Sequence, residues 1–377
     1  GLGIRLDVMA EHRADSPSLP RIYMIRSFIT SKISASRADD GFPRCLLRNW
    51  GIHFTPVGPI CSIWGMEDYP KTLGELEQRF SDQAACLAYL EQLRWPDGFI
   101  CPHCGGRSLW RGSRGRLICG DCEHQTSVTA GTIFDRTRRP LAEWFRAIWW
   151  LTSQKNGASA LGLQRVLGLG SYQTAWSWLH KLRRAMVRPG RDRLSGRVEV
   201  DETYIGPGED GAVGRDARGK ALVVIAAQED GKGTGRIRMA RVPDASASSL
   251  LGFIAGAVEP ASVVHTDGWE GYSGVAKKGY EHEVTPLRGR AGAASELLPR
   301  VHRVASLLKR WLLGTHQGAV SHEHLDYYLD EFTFRFNRRT SRSRGKLFYR
   351  LIQQAVQVAP APYQSLIKHV RGPNHYR

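Results

Sequence analysis

Two carboxylates and one imidazole in this sequence fall where a divalent cation could be held. Val198-Glu199-Val200-Asp201-Glu202-Thr203-Tyr204-Ile205 is a β-branched run bearing a carboxylate at Asp201. Ser262-Val263-Val264-His265-Thr266-Asp267-Gly268 is a second apolar run, and it delivers Asp267 at its carboxyl end. A helix-patterned segment beginning near Pro299 then brings His302. Two strand-end carboxylates and one helix-borne ligand frame a divalent metal. Strand-end aspartates are also common turn formers, so it is the pairing that points to chemistry. Glu202 lies one step beyond Asp201 and is expected on the opposite side of its strand, in a packing or salt-bridge role.

A different metal chemistry is written in the cysteines. Cys101-Pro102-His103-Cys104 is followed after fourteen residues by Cys119-Gly120-Asp121-Cys122. Each pair can bite one tetrahedral Zn²⁺ through thiolates, and Ser108 to Arg111 and Arg116 to Ile118 read as the hairpin strands of a zinc ribbon. One such pair alone could be a redox site, but two in one short unit favour zinc. Four thiolates close the coordination sphere, which makes the zinc structural and leaves His103 and His124 on the surface.

Bulk properties bound the rest. At 377 residues there is room for two or three domains. Fifty-three Lys and Arg against 36 Asp and Glu leave a net charge of +17 and a pI near 9.9, which favours a polyanionic partner, most simply nucleic acid. No apolar run approaches the roughly 18 to 20 residues of a membrane span. Cys45, Cys61 and Cys86 stand isolated from the two pairs, a usage that suits a reducing compartment.

The elements that must position these groups can be taken in order. Residues 1–65 hold no sustained period and are expected to be an extension, with Met66 beginning the functional protein. Residues 66–96 are a helical lead-in, with Thr72 and Glu75 at capping-box spacing. The ribbon takes 97–127. From 128 to 190 the pattern is helical: Leu141, Trp144, Phe145, Ile148 and Trp149 line one face, a second helix ends at the Gly168-Leu169-Gly170 turn, and Ser171 is placed to cap a third. That third helix carries Ala175, Trp178, Leu179, Leu182 and Met186 on one side, and Gln173, Thr174, Ser177, His180, Lys181 and Arg184 on the other. Helix, turn and helix predict a DNA-reading helix-turn-helix, with Gln173, Thr174, Lys181 and Arg184 meeting base edges and phosphates.

After Arg197 the period changes to that of strands, expected at 197–204, 220–227 and 235–242 with a hairpin turn at 229–234. A helix at 246–258, a strand at 262–266, a helical stretch at 270–278, a short strand at 282–285 and the long helix follow. Three strands followed by alternation predict an α/β domain with a mixed sheet over 191–350. Lys309 lies two turns beyond His302 on nearly the same face, where it could hold a DNA phosphate. Arg335, Arg338 and Arg339 open a basic tract that also takes in Arg342, Arg344 and Lys346. Interleaved with Phe334, Phe336, Phe348 and Tyr349, it is expected to track phosphates. Residues 351–377 read as a helix end and a frayed tail.

This order of elements resembles the RNase-H-like catalytic domain of DDE transposases and retroviral-type integrases. The two cysteine pairs, Val200-Asp201-Glu202-Thr203-Tyr204, His265-Thr266-Asp267-Gly268-Trp269-Glu270-Gly271-Tyr272, Leu307-Leu308-Lys309-Arg310-Trp311 and Phe334-Arg335-Phe336-Asn337-Arg338-Arg339 are similar to the zinc-ribbon insertion-sequence transposases of bacteria and archaea. The likeness spans roughly residues 70 to 355. It implies an enzyme that binds the terminal inverted repeats of an element and its target DNA, works as a homodimer or higher oligomer on DNA, and uses two Mg²⁺ or Mn²⁺ ions, bridged by Asp201, for cleavage and strand transfer. It also implies a cytoplasmic protein of the nucleoid. Such transposases usually carry Glu as the third ligand. Here His302 stands at that place, as in a sub-branch that accepts Asn or His, and an imidazole suits Mn²⁺ better than Mg²⁺. Glu296 and Glu331 are the alternative third carboxylates. A DNA-binding regulator with an inactive RNase-H-like domain and a nuclease that never joins strands are the competing functions.

Overall fold

The computed structural model describes residues 68–188, 190–206, 219–286, 294–318 and 320–368. The expected 1–65 extension, its Met66 boundary and the end of the expected tail lie outside the described residues.

Two short helices open this part of the chain, α1 (Leu73–Arg79) and α2 (Gln83–Arg94). Thr72 Oγ1 accepts the Glu75 amide at 3.1 Å while the Glu75 carboxylate accepts from the Lys71 amide at 2.7 Å, so the capping pair at 72 and 75 forms with the return bond shifted by one residue. Next come β1 (Leu109–Arg111), β2 (Leu117–Cys119) and β3 (Gln125–Thr126), an antiparallel three-stranded ribbon. Three helices follow: α3 (Leu141–Ser153), α4 (Ala160–Leu167) and α5 (Tyr172–Ala185). Gly168, at φ 62°, closes α4 in the left-handed conformation expected of a helix stop. Ser171 occupies the N-cap of α5 but makes no capping bond; its hydroxyl donates instead to Gln173 Oε1 at 2.6 Å.

The sheet follows as β4 (Arg197–Ile205), β5 (Ala221–Asp230) and β6 (Gly233–Val242), then α6 (Ala247–Ala257), β7 (Val263–Thr266) and β8 (Glu281–Val284). Its order is β6-β5-β4-β7-β8, with the first three antiparallel and β7 and β8 parallel to β4. This is the mixed sheet expected of an RNase-H-like domain. The stretch 270–278 is not one helix. It forms two separate 3₁₀ turns, Glu270–Tyr272 and Ala276–Lys278, because Gly271 and Gly274 pack close to Ala245 and Leu251 and carry little helix propensity.

Helices α7 (Ala294–Leu297), α8 (Pro299–His316) and α9 (Leu325–Phe336) cover one sheet face, and α6 covers the other. The period of two along β4 explains the division. Val198 and Val200 join Leu222, Val224 and the α6 residues Phe253 and Ile254, whereas Ile205 joins Val223, Ile225, Val304 and Leu308.

The end of the chain departs from the sequence expectation. Residues beyond 351 continue α10 (Arg344–Ala355), and α11 (Tyr363–Lys368) follows. Phe348, Leu351, Ile352 and Ala355 are buried in the same cluster as Trp144, Phe145, Ile148 and Trp178 of α3 and α5. The helical domain of 128–190 is therefore completed by a helix from the far end of the chain. Within it Trp144 and Trp178 stack at 3.9 Å. Among the described residues no helix is long and apolar enough to cross a membrane.

Candidate functional site

Asp201 and Glu199 share the β4 face turned towards α8, and Glu202 points the other way. The Asp201 Oδ1 atom accepts the Glu202 amide at 2.9 Å, and its Oδ2 lies 3.7 Å from His302 Nε2. That nitrogen is buried and has no hydrogen-bond partner. Burial lowers the His302 pKa, opposed by the charges of Glu199 and Asp267 and aided by Lys309, so the imidazole is held in the neutral form that can ligate. Lys309 is exposed, seven residues on and only about 20° around the helix.

Asp267 follows β7, the parallel neighbour of β4. The pairing sets Arg197 opposite Val263 and Glu199 opposite His265, and the same register carried two residues further sets Asp201 level with Asp267 on the same sheet face. Asp267 Oδ1 accepts the Trp269 amide at 2.9 Å. Gly268 makes the turn at φ 79°, where a Cβ would meet Val284 Cγ1 at 2.5 Å, so the residue after this carboxylate is restricted to glycine.

The rest of that motif anchors the turn. Thr266 Oγ1 lies 2.9 Å from His282 Nε2, Trp269 Nε1 donates to the Ala245 carbonyl at 3.0 Å, and the buried Tyr272 hydroxyl donates to Glu202 Oε2 at 2.8 Å. Burial raises the Tyr272 pKa well above its ordinary value, aided by the nearby Glu202 and Asp201 charges, which keeps it a neutral donor. Glu202 thus has the packing role expected for it.

Glu199, to which the sequence reading gave no role, sets the position of His302. Its buried carboxylate accepts the amides of Arg300 at 2.7 Å and Val301 at 3.0 Å, and Arg300 Nη1 at 2.8 Å. These are orphan donors at the start of α8, where a negative charge also meets the positive end of the helix dipole. Arg300 in turn donates to the carbonyls of Gly231 and Gly233 in the β5–β6 turn. The first turn of α8 is therefore clamped to the sheet two residues from Asp201. The available signal was an acidic residue at a position that strand alternation turns towards the core.

Of the alternative third carboxylates, Glu331 is engaged elsewhere in the protein, and Glu296 stays open as a candidate. Glu296 is exposed on α7. Glu331 is fully buried between two arginines: Arg183 Nε donates to its Oε2 and Arg335 Nε to its Oε1, both at 2.8 Å. Both guanidinium groups hold its pKa down at about 2 in spite of burial. This triad joins α5, α9 and the end of α3.

The expected DNA-contacting arginines of α9 are largely engaged within the protein. Arg335 gives its remaining donors to the Leu151 and Gln154 carbonyls, closing the carboxyl end of α3. Arg338 donates to the Phe334 carbonyl and lies 4.0 Å from the Phe334 ring; Arg339 donates to the carbonyls of Thr234, Gly235 and Phe336. Asn337 adds a reciprocal pair with the Ile237 backbone on the edge strand β6. The Phe334 to Arg339 motif thus staples α9 to the sheet.

The expected recognition helix needs a similar correction. Only Tyr172 and Gln173 of α5 are exposed; Thr174, Lys181 and Arg184 are half-buried, and His180 is fully buried against Trp176, His324, Tyr327 and Tyr328. Lys181 Nζ lies 5.9 Å from the Trp144 ring. Helix α9 covers His180 on the side that the sequence left polar, through Tyr327 and Tyr328, while α10 packs on the apolar side with Trp178.

The cysteines behave as expected. Their four sulfurs all lie within 4.8 Å of one another, with Cys101–Cys122 at 3.7 Å and Cys104–Cys119 at 3.6 Å. A tetrahedron with Zn–S bonds of 2.3 Å has edges of about 3.8 Å, so the cage fits zinc. The His103 and Gly106 amides donate to Cys101 and Cys104 sulfurs, both at 3.4 Å. Among the described residues this is the one group of three or more such ligands gathered around a single point. Asp201, Asp267 and His302 are more open.

Comparison with known proteins gives three findings. Residues 193–337 match the family described as the ISXO2-like transposase domain, and residues 81–125 match the transposase zinc-ribbon domain, together just over half the chain. The uncharacterized protein in transposable element ISH50 of Halobacterium salinarum is 28% identical over 287 residues, 71% of this chain and 94% of that protein. A crystal structure of the Mos1 strand transfer complex is similar at 14% identity over 59% of this chain and 76% of that one, with a TM-score of 0.24.

Proposed function

The chain belongs to the zinc-ribbon insertion-sequence transposases with a DDE-type catalytic domain, and on that footing we propose that Asp201, Asp267 and His302 hold the divalent cations with which it cuts and joins DNA. The observation that carries this reading is the His302 Nε2 atom, buried without a hydrogen-bond partner 3.7 Å from Asp201 Oδ2. A neutral imidazole nitrogen kept beside a carboxylate is a donor set for a cation. Bound divalent metal supplies charge neutralisation at the phosphate and a lowered pKa for water.

The chain's own residues supply the positioning. Asp201 lies in the middle of β4, not at the strand end expected from the sequence, and Asp267 just past the end of β7, at the same level of the sheet; Glu199 seats α8, and Lys309 offers a positive charge to the DNA backbone on the same helix edge as His302. The ribbon and the helical domain hold the element's terminal inverted repeats, with Gln173 and Thr174 as the base-contacting candidates at the open end of α5. The enzyme works as a homodimer or higher oligomer on DNA.

The test is cleavage of end-bearing duplex by the full-length protein with Mg²⁺ or Mn²⁺. Asp201→Ala should abolish cleavage, and His302→Ala should cripple it while end binding persists. His302→Glu should retain activity and shift preference towards Mg²⁺. An Asp201→Ala protein as active as wild type would overturn the assignment. Cutting without joining would mark a nuclease, and binding without cutting a regulator.

A further inference from the structure

The chemistry proposed above leaves unused a groove of about 890 Å³ beside α8. Its walls come from the loop after α3, α8, the start of β6, the end of α9 and the start of α10. Lys155, Arg303, Arg310 and Arg344 line it, all exposed. Arg335, Arg338 and Arg339 form its floor. Among the described residues no carboxylate lines it. Arg338 and Arg339 are held by backbone carbonyls and Arg335 is paired with Glu331, so the groove's open positive charge is carried by the exposed Lys155, Arg303, Arg310 and Arg344. Burial lowers the Arg339 pKa and the nearby Arg303 charge adds to this, with Asp230 opposing.

The geometry points to this groove as a seat for the phosphodiester backbone of DNA running from the site of cutting across α8 to the helical domain. Such concentrated like charge is unfavourable in the free protein and becomes favourable when a regularly charged polyanion displaces its counterions there. The place along the chain agrees. His302 and Lys309 share one edge of α8, and Arg303 and Arg310, each one residue further on, lie about 100° around the same helix. A strand leaving Asp201 and His302 would reach the groove by crossing one helix, about 10 Å wide. A small anion would engage one or two of these cations, whereas a backbone engages them in series. The Arg183–Glu331–Arg335 triad fixes the two walls relative to each other, and Gly157, at φ 83°, passes so close to Glu331 that a Cβ would meet its Oε1 at 2.8 Å.

This inference rests on the DNA-cutting reading, and the experiment separates the two. Full-length protein carrying Asp201→Asn, so that no DNA is cut, is titrated with a fluorescent 20-mer duplex and with the matching single strand across a salt series. Adding Arg303→Gln and Arg310→Gln should flatten the log–log salt slope by about 1.8 on duplex or about 1.4 on single strand, and the larger loss of affinity identifies which form occupies the groove. A control pair, Lys277→Gln with Lys278→Gln, removes the same charge from exposed positions in the crossover on the α6 side of the sheet. Zinc content and melting temperature check that each variant folds. An unchanged slope in the groove variant, or an equal flattening in the control, overturns the proposal. Failure of the cutting reading has a different signature, an Asp201 variant that still cleaves.

Discussion

Replacing Glu199 by Gln tests the positioning of α8, because the residue hydrogen-bonds the first turn of that helix and none of the proposed ligands; removing its charge also lowers the His302 pKa further. Its carboxylate is about 3% exposed and accepts three N–H groups, two of them from the first turn of α8. Hydrogen bonds to a charged group contribute about 1.5–3 kcal/mol each, and a charge at a helix start adds up to about 2 kcal/mol in partly buried geometry. Glutamine keeps one acceptor oxygen and turns an NH₂ towards Arg300, so we expect a loss of about 2–4 kcal/mol of stability. The catalytic consequence is separable. If α8 drifts by about 1 Å, His302 leaves Asp201, and misplacement on that scale costs about 100-fold in rate.

The assay is single-turnover cleavage of an end-bearing duplex over a Mn²⁺ titration, run beside denaturant unfolding and end binding. Glu199→Gln should cut slowly and require more Mn²⁺ for half its maximal rate, while end binding stays intact. Glu199→Asp, which keeps the charge, should fall between. Wild-type rate and metal dependence in Glu199→Gln would refute the argument. So would end binding that falls in step with cleavage, since that would mark general misfolding.

Two further outcomes concern the scaffold. Cys119→Ser should lose zinc and loosen the ribbon, because a unit of that size has little core of its own; metal analysis and proteolysis across residues 97–127 check this, and a zinc-replete, resistant variant contradicts it. The Glu331 pKa lies near 2 in the folded protein, below its ordinary 4.5, so this carboxylate stabilises the fold fully above about pH 4.5 and loses that contribution as pH falls from there towards 2. Glu331→Gln should therefore cost about 3–5 kcal/mol at pH 7 and show a flatter decline of stability between pH 5 and 3, and parallel declines in the two proteins would contradict the burial argument.

What the sequence determined by itself was whatever depends on short-range pattern. Cysteine spacing specified the zinc cage, since two thiolates two residues apart bite one ion wherever the chain goes. The period of two placed Asp201 and Glu202 on opposite faces of β4, and the period of 3.6 marked α8 with His302 and Lys309 on one edge. Tertiary structure decided what depends on partners far away in the chain. Glu199 reads as an ordinary strand residue until Arg300 and Val301 arrive 101 and 102 positions later. Arg335 reads as a phosphate contact until it meets the end of α3 at a separation of up to 184. His180 reads as part of a DNA-facing surface until Tyr327 and Tyr328 of α9 bury it, and Arg183 finds Glu331 at a separation of 148. A charge has no visible role in sequence when its counter-charge or capping partner is brought by the fold, because burial and pairing are long-range properties that local periodicity does not encode.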